Sequence, residues 1–188
     1  VIHSETAVVP ATTLAWRRAL AVAAGAAFVA AAAQIAVPLP GTPVPMTLQP
    51  LAVLIVGGLL GAELGAASLV LYVLLGAAGL PVFTPFGLPG VARLIGPTGG
   101  YLLAYPVAAF AVGRLAGRAP GFGRAAGAAL TGLALIHLGG LAQLGIITGS
   151  LEQAARFGTV PFLVGDAMKL ALAALVLTKL TSPIRARL

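Results

Sequence analysis

The sequence has 188 residues, of which 60% are apolar and 8% charged, with a mean hydropathy of +1.07. Ordinary soluble domains carry roughly 25% charged residues, so this chain cannot clothe a water-facing exterior, and its surplus of apolar side chains excludes intrinsic disorder. Eleven Lys and Arg against Glu5, Glu63, Glu152 and Asp166 give a net charge of +7, but the cations sit singly or in pairs between apolar runs, a pattern of membrane topology and not of nucleic-acid binding.

Residues 1–14 are mixed and polar and lack the basic segment and small-residue cleavage site of a signal peptide, so they read as a short N-terminal tail. Apolar runs follow at 15–36, 49–61, 62–80, 98–117, 124–148 and 160–181. At about 20 residues per crossing they predict an all-α integral membrane protein, one membrane domain over 1–188 with six transmembrane helices. The second and third runs are parted only by Gly61, Ala62 and Glu63. That corner favours a tight helical hairpin over one long re-entrant unit.

In the first run Ala15, Ala19, Ala23, Ala27 and Ala31 recur every four residues. The stripe lets another helix approach closely, either one of this chain or one of a partner protein. The connection that follows, Val37-Pro-Leu-Pro-Gly-Thr-Pro-Val-Pro-Met-Thr-Leu-Gln49, carries four prolines, which deny helix and predict an extended, stiff segment. The connection from Pro81 to Gly100 is again rich in proline and glycine. Two restricted apolar loops on one membrane face predict a roof over a cavity.

Orientation follows from the basic residues. With the N-terminus cytoplasmic, the inner side holds Arg17, Arg18, Arg114, Arg118, Arg124, Lys179, Arg185 and Arg187, and the outer loops hold Arg93 and Arg156. The positive-inside rule therefore puts both termini in the cytoplasm and the connections after the first, third and fifth spans outside.

The eleventh cation, Lys169, lies within the sixth run together with Asp166. An ionised residue at the centre of a spanning helix costs about 2.5–3.5 kcal/mol on insertion scales, so each needs a partner or a function. Their spacing of three puts both on one helix face. Counted from a span starting near Val160, they lie roughly 10–14 Å along the axis at about 1.5 Å per residue. They can anchor a polar solute, neutralise each other for packing, or relay protons. Gln49, Arg93, Tyr101 and Gln143 fall on the same outer half; Arg93 can equally snorkel to water, and Gln143 can hydrogen-bond between helices. Tyr72, midway along the third run, is open between these roles. His137, deeper on the fifth run, reads as a hydrogen-bonded packing residue, since a lone histidine makes no metal site.

The chain has no cysteine, which removes disulfide scaffolds, thiolate metal sites and Cys nucleophiles. It also contains no P-loop, no Gly-x-Ser-x-Gly and no His-Glu-x-x-His, and Ser68 and Ser150 have no base at a credible position. No enzyme activity and no cofactor are expected.

Four motifs in order carry a resemblance over nearly the whole chain. They are Gln34-Ile-Ala-Val-Pro-Leu-Pro with Val44-Pro-Met-Thr-Leu-Gln49, Leu71-Tyr-Val-Leu-Leu-Gly-Ala-Ala-Gly-Leu-Pro-Val-Phe83, Gly96-Pro-Thr-Gly-Gly-Tyr101, and Gly165-Asp-Ala-Met-Lys169. The sequence resembles the BioY family, the biotin-binding S-components of energy-coupling-factor (ECF) transporters. The resemblance implies an S-component-like bundle in a bacterial or archaeal cell membrane, with biotin as its ligand near the extracellular face. It also implies partners, a transmembrane T-component and two ATPase subunits, with the alanine stripe docking on the T-component; homo-oligomers of the chain alone stay open.

Biotin offers two ureido N–H donors, a carbonyl, an apolar bicycle and a carboxylate. By motif, Asp166 would accept from the ureido group and Lys169 would donate to it or pair with Asp166. Arg93 would meet ligand or lid, Tyr101 and Phe83 would form aromatic walls, and Thr47 and Gln49 would close from the first loop. Gln143 completes the candidate set. The same fold tuned to another vitamin or small solute, or a non-transporting structural subunit, are the alternatives.

Overall fold

The computed structural model describes residues 11–188, with side chains from Leu14 onward. The expected polar tail at 1–14 lies largely outside the described residues, and helix α1 already runs Ala11–Gln34. A two-stranded antiparallel ribbon follows, β1 (Ala36–Val37) pairing with β2 (Met46–Thr47). The proline-rich connection is thus extended, and its two ends are hydrogen-bonded together.

Helix α2 (Gln49–Leu60) starts with Pro50 in its first turn, where a missing N–H costs nothing. It ends at Gly61, whose φ of 91° lets the chain turn directly into α3 (Ala62–Ala77). The two helices cross where a Cβ on Gly65 would lie 2.8 Å from the Gly57 Cα. They form a helical corner closed by two glycines.

The second connection contains a helix that apolar periodicity does not reveal, α4 (Val91–Ile95), set between the Gly90 and Gly96 caps. Then come α5 (Gly99–Ala116), α6 (Phe122–Thr148), α7 (Leu151–Gly158), a 3₁₀ turn at Val160–Phe162, and α8 (Leu163–Arg185). No apolar run marks α7 in the sequence. Ser150 caps it by accepting from the Gln153 N–H, and its Glu152 and Arg156 make it polar.

Among the described residues, four segments are long and apolar enough to cross a bilayer: Leu14–Gln34, Gly99–Ala116, Phe122–Thr148 and Leu151–Arg185. Helices α2 and α3 are apolar but shorter. Large apolar side chains such as Trp16, Phe28, Leu103, Val107, Leu138, Ile146 and Leu172 are exposed around the bundle, as a lipid-facing exterior requires. The interior holds small residues and a few large ones, including Tyr72, Leu54, Ile136 and Leu177, each fully buried.

The two ends of the bundle differ. The starts of α2, α5 and α8 surround a cavity, while the ends of the same three helices, with Arg18 of α1 and the first turn of α3, surround a cleft lined by Arg18, Arg114, Arg118 and Arg185. On α1, Ala26, Val29 and Ala33 are buried, and Ala15, Ala19, Ala23, Ala27 and Ala31 are all exposed. The alanine stripe therefore points away from the bundle.

Candidate functional site

The cavity is roofed by both proline-rich loops. Val44, Pro45 and Thr47 come from the first, Phe83, Thr84 and Arg93 from the second, and Gln49, Tyr101, His137, Asp166 and Lys169 from the helices beneath. Two hydrogen bonds hold the roof down. Thr42 Oγ1 donates to the Phe157 carbonyl at 2.7 Å, and Gln34 Nε2 donates to the Phe83 carbonyl at 3.1 Å. The cavity volume is about 60 Å³, room for roughly four to six waters.

Asp166 and Lys169 stand at the floor, both buried. Lys169 Nζ donates to Asp166 Oδ1 at 2.8 Å, one helical turn apart. They lie closer to the helix start than the expected 10–14 Å. The 3₁₀ turn at Val160–Phe162, with Pro161 inside it, ends the preceding segment, so α8 proper begins at Leu163 and Asp166 is in its first turn. There the helix macrodipole favours a carboxylate.

The other oxygen of Asp166 is held by a residue that the sequence reading leaves outside the site. His137 Nε2 lies 2.7 Å from Asp166 Oδ2, and its Nδ1 is 3.3 Å from Thr159 Oγ1. His137 also lines the cavity, beside the Tyr101 ring at 6.2 Å and 81°. Its only sequence signal is a titratable side chain within an apolar run; its partner is 29 residues away. Two groups, the Lys169 ammonium and the His137 ring, thus share one buried carboxylate. Each carboxylate oxygen keeps a second lone pair for a ligand donor, and Lys169 keeps two of its three N–H groups.

Arg93 is buried and reaches the cavity from α4. Its Nε donates to the Leu88 carbonyl at 2.8 Å, Nη1 to Thr84 Oγ1 at 2.7 Å and Nη2 to the Thr84 carbonyl at 3.0 Å. Arg93 therefore staples the second loop and does not snorkel to water. Of its five N–H donors, two remain for a ligand. Burial lowers the Arg93 pKa from its ordinary value, opposed by the nearby Tyr72; an arginine so placed stays protonated.

The remaining walls are set by close packing. Tyr101 donates to the Gly158 carbonyl at 2.6 Å, and its ring covers Gly140, where a Cβ would fall 2.0 Å from Cζ. Phe83 lies on Gly76 and meets Tyr72 edge-to-face at 5.5 Å and 76°. Tyr72 is not at the cavity wall; its hydroxyl accepts from Gln49 Nε2 at 2.6 Å, while Thr47 Oγ1 donates to Gln49 Oε1 at 3.2 Å. That chain ties the end of the ribbon to α3.

Gln143, expected among the site's polar groups, faces away from the cavity. Its Nε2 donates to the Leu94 carbonyl at 2.9 Å and the Gly96 carbonyl at 2.6 Å. Those are carbonyls at the end of α4, which has no further turn to satisfy them, so Gln143 anchors that helix to α6. It is an interhelical tie.

Chemically, the cavity offers acceptors on Asp166, cationic donors on Lys169 and Arg93 at separate places, and aromatic and apolar walls. Among the described residues no cluster of three or more metal-ligating side chains occurs. The arrangement suits a small, partly apolar solute with donors at one end and an acceptor or negative charge elsewhere.

A profile of the BioY family matches residues 6–186. A protein of Pyrococcus horikoshii described as "Probable biotin transporter BioY" is 39% identical over 138 residues, 73% of this chain and 81% of that protein. The "Biotin transporter BioY" of Thermotoga maritima is 38% identical over 154 residues, 82% of this chain and 89% of that one. A crystal structure described as the S-component for biotin from an ECF-type ABC transporter superposes with a TM-score of 0.81 at 25% identity, covering 92% of this chain and 94% of its own.

Proposed function

The chain belongs to the BioY family and is a multi-pass membrane protein, and from that premise we propose that it is a biotin-binding S-component that takes up the vitamin for ATP-driven import through partner subunits. The convergence of Arg93, from the second loop, with the Asp166–Lys169 pair of α8 on one roofed cavity carries the reading. Asp166 accepts from the ureido N–H groups, Lys169 donates to the ureido carbonyl, and the two unspent donors of Arg93 face the valerate carboxylate. Tyr101 and Phe83 wall the bicycle, and Thr47 and Gln49 close from the first loop.

Six crossings, by α1, α2, α3, α5, α6 and the α7–α8 unit, put both termini in the cytoplasm and the cavity outside. The gathering of arginines at the opposite end supports this orientation. Helix α2, at 12 residues, is about 18 Å long and falls short of the roughly 30 Å hydrocarbon layer. Its start is preceded by the buried Thr47 of the first loop and its end turns at Gly61 into α3, and non-helical backbone packed in protein is tolerated at membrane depth. The outward Ala15–Ala31 stripe is the docking face for a T-component, which works with two ATPase subunits in a bacterial or archaeal cell membrane. The chain itself contributes no nucleotide chemistry and no cofactor.

Purified protein in detergent is expected to bind biotin without ATP or partners, measured by titration calorimetry; a folded protein that takes up no biotin would overturn the reading. At about 60 Å³ the cavity is smaller than biotin, so the roof loops must part to admit it and association is expected to be slower than for a ligand entering an open cleft.

His137 is assigned a positioning role through Asp166. Replacing it by Leu removes one donor to a charged acceptor, a loss of about 1.5–3 kcal/mol, so the biotin Kd is expected to rise roughly ten- to hundredfold. His137→Gln, which keeps a donor, is expected to recover most of that affinity. Equal affinity in the Leu variant would place His137 among packing residues alone.

A further inference from the structure

The end of the bundle remote from the cavity carries a second concave site. A cleft of about 640 Å³ lies between the ends of α2, α5 and α8 and the starts of α1 and α3. Arg18, Arg114, Arg118 and Arg185 line it, against one acid, Glu63. The two ion pairs of the described residues both use Asp166, so none of these arginines is neutralised by a carboxylate within 4.0 Å. Positive-inside topology requires cations on this side but does not require them to converge on one cleft.

One of the four is fixed in place. Arg185 Nε and Nη2 donate to the Gly58 carbonyl at 3.0 and 2.6 Å, and Nη2 also reaches the Gly113 carbonyl at 3.0 Å. These carbonyls lie in the last turns of α2 and α5, which lack intrahelical partners. The guanidinium is thereby held in a partly buried position at the cleft, and its Nη1 donates to nothing among the described residues. The other three are exposed and free to close on a guest.

The wall beside the arginines is apolar. Leu60 and Leu64 are half-buried there, and Phe110, 47% exposed, borders them. Cations at a helix end with an apolar wall running toward the bilayer match a phosphate with an acyl chain attached. Free phosphate would leave that wall unused, and an acidic peptide would bring no apolar tail.

We propose that this cleft binds the phosphate headgroup of an anionic phospholipid, with Arg185 as the fixed contact, Arg114 and Arg118 as the closing ones, and an acyl chain along Phe110 and Leu64. Basic pockets between helices at the cytoplasmic surface recognise such headgroups by charge and guanidinium geometry. The site is independent of the cavity, since it shares no lining residue with it.

The test is thermal unfolding of the purified full-length chain in a neutral detergent with added phosphatidylglycerol, phosphatidylcholine, inorganic phosphate or poly-glutamate. Phosphatidylglycerol is expected to raise the midpoint by about 5 °C, and the other three by less than about 1 °C. The Arg114→Gln/Arg118→Gln variant is expected to lose that shift and to bind biotin as the wild type does. Native mass spectrometry of the unaltered protein from a mixture of the two lipids gives a readout without any variant, and phosphatidylglycerol should be retained selectively. Equal effects of the two lipids, a full shift from inorganic phosphate or poly-glutamate alone, or an undiminished shift in the variant would each overturn the proposal.

Discussion

Asp166→Asn is expected to raise the biotin Kd at least about 100-fold while leaving a folded, monodisperse protein. The substitution preserves shape but removes the charge that Lys169 at 2.8 Å and His137 at 2.7 Å share. Hydrogen bonds to a charged group contribute about 1.5–3 kcal/mol each, and every 1.4 kcal/mol is about tenfold in affinity. Asn still accepts one bond, but its NH₂ now confronts a donor, and Lys169 is left buried without a counter-charge. That uncompensated cation predicts a stability loss too, since breaking a buried pair from one side costs about 3–5 kcal/mol. Asp166→Asn/Lys169→Met should therefore recover thermal stability without recovering affinity. Calorimetry and thermal unfolding on the single and double variants separate the two effects. A single variant that binds biotin like the wild type would remove Asp166 from the site.

The same carboxylate shows what can and cannot be read from the chain as text. Asp166 and Lys169 stand out because any charge in an apolar run demands an explanation, and their spacing of three is local information. Depth is not local. It depends on where the helix begins, and that was set by a polar helix, α7, and a 3₁₀ turn interposed before Leu163. Eight residues with a serine cap carry too short a pattern to outweigh the apolar run beyond them.

His137 and Gln143 illustrate the second limit. Both are single polar residues on α6, six apart, and nothing in their immediate neighbours distinguishes them. The fold sends one to Asp166, on α8, and the other to the carbonyls of Leu94 and Gly96. Helical spacing of six places them on different faces, but which face meets a cavity is decided by how α5 and α8 pack around α6. Arg93 is a third case. Its loop position suggests exposure, yet the short α4 turns the guanidinium back onto Thr84 and Leu88, and one side chain both braces the roof and lines the cavity beneath.

Packing supplies the other large effect, and it too turns on information absent from the local sequence. Of the 25 glycines, Gly57 and Gly127 both sit inside helices among apolar neighbours. A Cβ on Gly57 would lie 2.4 Å from the Ala109 carbonyl oxygen and 2.7 Å from the Ala109 Cα, backbone that cannot swing aside. The Gly57 Cα is itself the surface against which Gly65 of α3 packs. In a bilayer no hydrophobic force drives helices together, so such backbone approach is a main source of cohesion. Gly57→Val is expected to part α2 from α5. Overpacking of this kind costs about 3 kcal/mol or more, which lowers the unfolding midpoint by roughly 10 °C for a chain of this size. Because α2 carries Gln49 and adjoins Thr47 at the cavity, biotin affinity should fall with it. Nothing lies within 4 Å of a Cβ on Gly127, so Gly127→Val adds a lipid-facing side chain and should move the midpoint by less than about 2 °C. Thermal unfolding of the two variants in one detergent decides the matter. Equal stability would mean that α2 and α5 are not held by this contact.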